Sequence, residues 1–437
     1  MSHASSILHT LCEVWAGLNV GFTATLIVGL LVLRARFAQA RQALAQRDAL
    51  PGGWPDIAIL RPCEGHEPGL RENLLSSLTA PYPGRREVRL LVPSESDPAY
   101  AVAHAVLRQA AACGLTVDAR VLVTSPPALC NRKAFQLAAA TTTTTAPIVV
   151  TADSDVRLGD DDLPALLMPL RAQAQATARP TAAAFAAPIE VAPQTMWDRA
   201  GAALVCASAQ SFLALYGLYA LRAPASPDEG QAPSTASSVG DPAAPANQAH
   251  AAPMMAGALC ALSRTALTQI GGFSAFFDCL GEDNEIARRL CALGYHIAVS
   301  PLPARCFDGG RDATAVIARA ARWQTVVRAQ RPALWPTYPL MLGVTPALVL
   351  LALLWPSTVL TGFVATLVGL RTLLSHLLLR LQGLPSGPLR ALMALGQGEG
   401  LLWLGFLRSA ASRRIVWRGH PFRIERGGRL RPVGSPG

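Results

Sequence analysis

Apolar positions fall along the chain in two textures, long uncharged runs near its ends and short alternating runs between them. Residues 14–33 form a run of 20 without a charge, long enough to cross a hydrocarbon core of about 30 Å as a helix. The run lacks a basic start and a small-residue cleavage site, so it reads as a retained anchor rather than a signal peptide. Glu13 precedes it and Arg34, Arg36, Arg41 and Arg47 follow, which places the N-terminus outside and the next segment in the cytoplasm. A second apolar block is broken at Pro356, and 338–355 and 357–379 each read as one span of a hairpin. A third stretch, 389–407, contains Gly396, Gly398, Glu399 and Gly400. The tail beyond it holds Arg413, Arg414, Arg418, Arg423, Arg426, Arg429 and Arg431, which belong in the cytoplasm, so 389–407 is expected to be re-entrant or interfacial.

Between the apolar blocks, residues 56–60, 88–92, 117–123 and 148–151 read as buried strands, and 69–78 and 100–113 as amphipathic helices. Strands alternating with helices predict an α/β domain with a mainly parallel sheet. The run of threonines at 141–145 is compatible with a strand lead-in or a loop. Residues 223–253 are rich in Ala, Pro, Ser and Gly and lack the apolar surface that offsets ordering entropy, so a disordered insertion is expected there. The predicted organisation is an anchor and basic linker at 1–50, a cytoplasmic catalytic domain at 51–333, membrane segments at 334–408 and a basic cytoplasmic tail at 409–437.

Composition agrees with a protein partly in water and partly in lipid. Hydrophobic residues make up 51% and charged ones 15%, against roughly a quarter charged in soluble domains. The net charge of +10 is mostly arginine beside apolar runs or in the tail, which favours anionic headgroups; no nucleic-acid partner is expected. Nine cysteines without a CxxC pair or a zinc-like spacing read as free thiols in a reducing compartment. The apolar runs carry few ionisable groups beyond Glu399, which argues against a transporter.

Three acidic or basic clusters carry candidate chemistry. Asp153-Ser154-Asp155 follows the strand 148–151, and ligands on parallel sheets bind beyond the carboxyl ends of strands. Two carboxylates at i and i+2 on such a turn suit a hard divalent cation that keeps positions open for phosphate oxygens, although acidic turns are common. Asp160, Asp161 and Asp162 read as a solvated helix start. Gly281-Glu282-Asp283 precedes a helix at 284–293; Asp283 is either a plain N-cap or a general base for a hydroxyl. Arg319 and Arg322 share a helix face and can clamp a diphosphate, or they and Trp323 mark a basic helix at the membrane interface.

The order of these pieces resembles glycosyltransferase family 21, the ceramide glucosyltransferases, and related bacterial hopanoid-type glycosyltransferases. The likeness runs from Ile59-Leu-Arg-Pro-Cys-Glu-Gly65, Glu67-Pro-Gly-Leu70, Glu72-Asn-Leu74 and Tyr82-Pro83 through Asp97-Pro-Ala99, Asn131-Arg-Lys133, Asp153-Ser-Asp155, Gly281-Glu-Asp283 and Arg319-x-x-Arg322-Trp323 to Trp417-Arg-Gly419 and Phe422-Arg-Ile424. It implies a GT-A fold, a UDP-sugar donor, Mg²⁺ or Mn²⁺, and inversion at the anomeric carbon. It further implies Asp283 as catalytic base, and Asp153, Lys133, Asn131, Glu64 and Glu95 on the donor. Asp155 with Asp153 would hold the metal, and Glu282, Arg319, Arg322 and Trp323 would lie near diphosphate and acceptor. Ser94 stands where relatives place an acidic residue after the second strand, with Glu95 or Asp97 as stand-ins. The implied acceptor is a membrane lipid, ceramide or a hopanoid, glucose the leading sugar, and a bacterial inner membrane the location. A processive polysaccharide synthase would share these motifs but need more membrane helices; an inactive membrane scaffold is the other alternative.

Overall fold

The computed structural model describes residues 3–46, 53–171, 180–222, 254–307, 309–417 and 420–433. The insertion expected at 223–253 and the Arg418-Gly419 pair lie outside the described residues. In chain order the elements are α1 (His3–Ala45), β1 (Ile57–Pro62), α2 (Leu70–Thr79), β2 (Arg86–Val92), α3 (Pro98–Ala112), β3 (Asp118–Val123), α4 (Arg132–Thr141), β4 (Ile148–Ala152), β5 (Val156–Arg157), α5 (Asp162–Arg171), β6 (Thr181–Ala186), β7 (Pro188–Glu190) and α6 (Met196–Arg222). There follow β8 (Leu259–Ser263), α7 (Arg264–Gln269), α8 (Glu282–Ala292), β9 (His296–Val299), β10 (Ala304–Cys306), α9 (Ala313–Gln330), α10 (Thr345–Leu354), α11 (Thr358–Leu381), α12 (Pro388–Ala411), β11 (Arg414–Trp417), β12 (His420–Ile424) and β13 (Leu430–Pro432).

The α/β class is borne out. Seven strands form one sheet in the order β3-β2-β1-β4-β8-β6-β9, parallel except where β8 runs against β4 and β6. Side chains alternate between its two faces with a period of two. Ala58, Leu60, Leu91, Val149, Phe185 and Leu262 enter one core; Ile57, Ile59, Leu90, Val150, Ala184 and Ala261 enter the other. Burial on both faces explains why the strands read as continuous apolar runs. The threonines at 141–145 end α4 and form the turn before β4 rather than a strand. None of the nine cysteines forms a disulfide.

Among the described residues three helices are long and apolar enough to cross a membrane: Ser6–Ala45, Met196–Leu221 and Thr358–Leu381. The last agrees with the span expected at 357–379, and the other two depart from the expected pattern. The anchor expected at 14–33 is the middle of a 43-residue helix, about 65 Å long at the usual rise. Its second half is no free-standing anchor, because Leu26, Leu30, Leu33 and Phe37 are buried in the same core as the sheet. The apolar helix α6 lies inside the segment read as purely cytoplasmic, and it packs against α1 at the closest possible range. A Cβ on Gly217 would sit 1.8 Å from the carbonyl oxygen of Gly29, and one on Gly29 would sit 2.3 Å from that of Ala214. Small residues let helix backbones approach in this way.

The span expected at 338–355 is not one helix. A π-helical turn at Tyr338–Leu342 is followed by a break and then by α10, whose 10 residues rise only about 15 Å. Pro339, Gly343 and Pro346 account for the break. Backbone groups freed in an apolar setting need partners, and they have them. The carbonyl of Leu340 accepts from Trp15 Nε1 at 2.9 Å, that of Leu342 from Arg371 at 2.8 Å, and that of Gly343 from Trp403 Nε1 at 2.6 Å. The Thr345 N–H donates to Glu399 at 2.9 Å, and Glu399 is paired with Arg371 at 2.6 Å. Glu399, expected as an oddity of the third stretch, is thus a structural partner of the broken leg. Along α12, Leu389, Leu392, Met393, Leu404 and Leu407 are exposed, while Ala391, Leu395, Leu401 and Leu402 are buried.

Candidate active site

The carboxyl ends of β1, β2, β4 and β6 share one edge of the main sheet, and β8 starts there. Asp153 is the first residue beyond β4, and its N–H donates to the Ala258 carbonyl at 2.8 Å. The Asp153-Ser154-Asp155 turn is fixed from below. Arg61, fully buried in β1, donates to the Val156 carbonyl at 2.7 Å, and Asn73 Nδ2 donates to that of Ser154 at 3.1 Å. Ser76 Oγ accepts from the Leu158 N–H at 2.9 Å, and the Asp155 carbonyl accepts from the Phe307 N–H at 2.8 Å. Burial lowers the Arg61 pKa, while Asp155 and Asp153 favour its charged form. The aspartates are therefore presented on a turn whose backbone has little freedom. Of the neighbouring acids, Asp162 is buried rather than solvated, accepting from the Gly159 N–H at 2.7 Å and pairing with Arg305 at 3.1 Å.

Lys133 links three elements at this edge. Its Nζ lies 2.6 Å from Asp153 Oδ1 and 3.4 Å from Glu282 Oε1, and donates to the Gly257 carbonyl at 3.1 Å. Desolvation acts against its charge, but Asp153 and Glu282 outweigh it and raise its pKa. Asn131, fully buried, caps α4 by accepting from the Ala134 N–H at 2.9 Å. Its amide donates to Glu282 Oε2 at 2.9 Å and to the Cys279 carbonyl at 2.8 Å. These bonds tie the start of α4 to the start of α8.

Asp283 is the second residue of α8, and the N-cap is Gly281, so a plain capping role does not describe it. It is half-buried, and its Oδ1 accepts from Asn284, from the N–H at 2.8 Å and from Nδ2 at 3.4 Å. Gly257 leaves room for it: a Cβ there would lie 2.9 Å from Asp283 Oδ2. Burial first, and then the charge of Glu282, push its carboxyl up to about 7, against the pull of Lys133. A carboxylate titrating near neutrality at the sheet edge is suited to accepting a proton.

Arg319 and Trp323 come together on α9, with the guanidinium 4.8 Å from the indole centroid. Arg319 is also paired with Glu190, which ends β7 and holds Arg311 at 2.7 Å as well. Glu190 is buried and was not anticipated; its partners lie more than a hundred residues on, beyond any local pattern. Arg322 lies half-buried on the next turn. Asp198 was missed for the same reason. It accepts from the N–H groups of Thr195, Gly310 and Arg311 at 3.0 to 3.1 Å.

The remaining residues fall at the rim. Glu64 pairs with Arg132 at 2.9 Å. Glu95 is exposed, and Ser94 Oγ lies 2.9 Å from Ser96 Oγ. Asp97 is engaged structurally: it caps α3 through the Ala99 N–H at 2.8 Å and accepts from the Gly65 N–H at 2.9 Å. Among the described residues no three acidic, histidine or cysteine side chains converge as a ready-made metal cage. The donor set of Asp153 and Asp155 still fits a hard cation whose remaining ligands are diphosphate oxygens and water.

The family model described as Glycosyl transferase family 21 matches residues 21–190 and 238–430. No curated protein matches the chain by sequence. Among solved structures, the mannosyltransferase PcManGT from Pyrobaculum calidifontis in complex with GDP-Man and Mn²⁺ is 16% identical, with 88% of this chain and 99% of that chain covered and a TM-score of 0.42. Glucosyl-3-phosphoglycerate synthase from Mycobacterium tuberculosis in complex with Mg²⁺ and UDP is 16% identical, with 62% and 77% covered and a TM-score of 0.34. S. aureus TarS in complex with UDP-GlcNAc is 10% identical, with 87% and 100% covered and a TM-score of 0.34.

Proposed function

From the premise that the chain belongs to glycosyl transferase family 21, and so transfers a sugar, we propose that it moves glucose from UDP-glucose to the hydroxyl of a membrane lipid, ceramide or a hopanoid. The observation that carries this reading is the convergence of Asp153, Lys133, Glu282 and Asp283 at one sheet edge, in a chain with three helices apolar enough to enter a bilayer.

In this reading Asp283 takes the proton of the acceptor hydroxyl as that oxygen attacks C1 of the sugar. The new C1–O bond forms as the bond from C1 to the diphosphate oxygen breaks, and UDP leaves with the electron pair. A single displacement of this kind inverts C1. Asp155 and Asp153 would hold a divalent cation, which supplies charge neutralisation on the departing diphosphate. Lys133 fixes Asp153 and Glu282 relative to one another and draws the Asp283 pKa down from where burial alone would set it. Arg319, oriented by Glu190 and Trp323, and Arg322 add positive charge for the diphosphate. The arginines that follow residue 33 support a cytoplasmic active site on a bacterial inner membrane.

The test is transfer by the purified full-length protein in detergent, with UDP-glucose and other UDP-sugars offered against ceramide and hopanoid. Turnover should require Mg²⁺ or Mn²⁺, and Asp283→Asn should abolish it while leaving UDP binding largely intact. Wild-type turnover by that variant would remove the base assignment.

A further inference from the structure

Residues 278–281 lead directly into the Glu282-Asp283 pair, and the C-terminal sheet grips them. The Leu280 N–H donates to the Gly428 carbonyl at 2.9 Å, and the Leu430 N–H donates to the Asp278 carbonyl at 2.6 Å. Cys279 and Arg429 form an antiparallel bridge between these two bonds. From the end of α9, Gln330 Nε2 donates to the Leu280 carbonyl at 2.9 Å and to that of Gly281 at 3.2 Å. The Leu280 side chain closes an apolar cluster with Val326, Phe422, Ile424 and Leu430.

Two glycines show how tightly this joint is built. Gly281 has φ 77°, and a Cβ on it would lie 2.8 Å from Val326 Cγ1. Gly428 has φ 82°, and a Cβ there would lie 2.8 Å from the Gln330 side chain. Both therefore combine a backbone conformation that disfavours side chains with space that excludes them. On its other flank the same loop is tied to α4, through Asn131 and the Cys279 carbonyl. The alternation of β12 fits this use, with Phe422 and Ile424 buried toward the loop and Arg423 exposed.

We propose that the C-terminal sheet and Gln330 are the positioning element for the Glu282-Asp283 turn, setting where the base stands relative to the sugar. The inference rests on the reading of Asp283 as base. Gln330 acts through the 280–281 backbone and touches neither substrate nor proton. Because a misplacement of about 1 Å at a reacting group costs about 10²-fold in rate, loosening this joint is read as a loss of kcat. The donor side, built on β4 and α4, keeps its geometry.

Full-length protein carrying Gln330→Ala or Gln330→Glu is compared with wild type using UDP-glucose and the accepted lipid, alongside hydrogen exchange. The expected result is a fall in kcat of about 10- to 100-fold, with the KM for UDP-glucose within about twofold of wild type. Faster exchange at the Leu280 and Leu430 amides should accompany it. Gln330→Glu should be the worse variant, since a carboxylate would face two carbonyls beside Glu282. Full-length Gly428→Ala, whose Cβ would meet the Gln330 side chain at 2.8 Å, should show the same split. Unchanged kcat in Gln330→Glu or in Gly428→Ala overturns the inference, as does a parallel loss of donor binding. Failure of the base reading itself has a separate signature, turnover by Asp283→Asn.

Discussion

Asp283→Asn tests whether the carboxylate is held at a cost to folding. In the folded chain its pKa stands at about 7 against an ordinary value of 3.8. The group therefore binds its proton more tightly folded than unfolded. Stability falls as pH rises from about 4 through 7, and above 7 the full cost of a half-buried carboxylate beside Glu282 is present. Three pKa units at 1.36 kcal/mol each set that cost at about 4 kcal/mol, and solvent contact of the half-buried group brings it to about 2–4 kcal/mol. Asparagine keeps the shape and the acceptor for the Asn284 N–H but carries no charge. At pH 8.5 the variant should be more stable than wild type by about 2–4 kcal/mol, with the gain vanishing near pH 4. For a chain of this size that is a Tm increase of about 2–5 °C. Tryptophan fluorescence melts in detergent at pH 8.5 and pH 4.5 would read it, since the chain has eight tryptophans. A variant no more stable than wild type at pH 8.5, or equally stabilised at both values, would refute the electrostatic account of Asp283.

Three further outcomes follow from the same contacts. The kcat profile should rise with pH through about 7, and Lys133→Met should move that limb to higher pH, because Lys133 is what lowers the Asp283 pKa; a limb that stays put counts against their coupling. Glu190→Ala leaves Arg311 and Arg319 facing each other without their buried carboxylate, which should lower stability by about 3 kcal/mol and raise the KM for the donor, read by melting and initial rates. Gly217→Ala should destabilise the chain by about 1–3 kcal/mol, because the Gly29 backbone cannot yield, whereas Gly362→Ala, with nothing within 4 Å of its Cβ, should be neutral or slightly stabilising in the same melts.

Strands β6, β8 and β9, alanine-rich or short, escaped the reading of the sequence. Strands β1, β2 and β4 were legible because they are buried on both faces, which writes each as a short apolar run, and 148–151 delivered the two aspartates where the structure has them. Helix α6 was not. Its residues 200–221 form an uncharged run of 22, but Asp198 and Arg199 stand just before that run and Gln210 interrupts its apolar character. In the fold Asp198 is consumed by backbone N–H groups and Gln210 by Ser375 at 3.0 Å. The extent of α1 was hidden for a related reason: apolar residues that face lipid and those that face a protein core look alike in one dimension. The tail read as a charge run, although Phe422-Arg423-Ile424 already alternates as a strand does. The chemistry splits along the same line. Asp153 and Asp155 stand in a recognisable local setting. Asp283 reads locally as a helix cap and gained its base reading from the family resemblance, while Glu190 and Gln330 have meaning only through partners distant in sequence.

If the acceptor is the membrane lipid proposed above, helix α12 is the element that would bring it and a water-soluble donor to one place. Its Glu399 and Trp403 hold the broken leg of the hairpin. Next to Glu399 on the helix, Gly398 lies against α6, where a Cβ would be 2.7 Å from the Ala203 carbonyl oxygen. Further along, Gly405 lies against α9, where a Cβ would be 2.9 Å from the Ala320 carbonyl, and Ala320 is the neighbour of Arg319. The apolar bundle and the arginine-tryptophan motif are thus joined through a single helix by backbone-to-backbone contacts that tolerate no side chain. A hinge at this point would need those contacts to part, and interfaces packed this closely do not deform continuously. The position of Arg319 and Arg322 relative to the bundle is therefore set by α12, and under the proposed function an acceptor hydroxyl carried by a lipid would meet the donor at a fixed height.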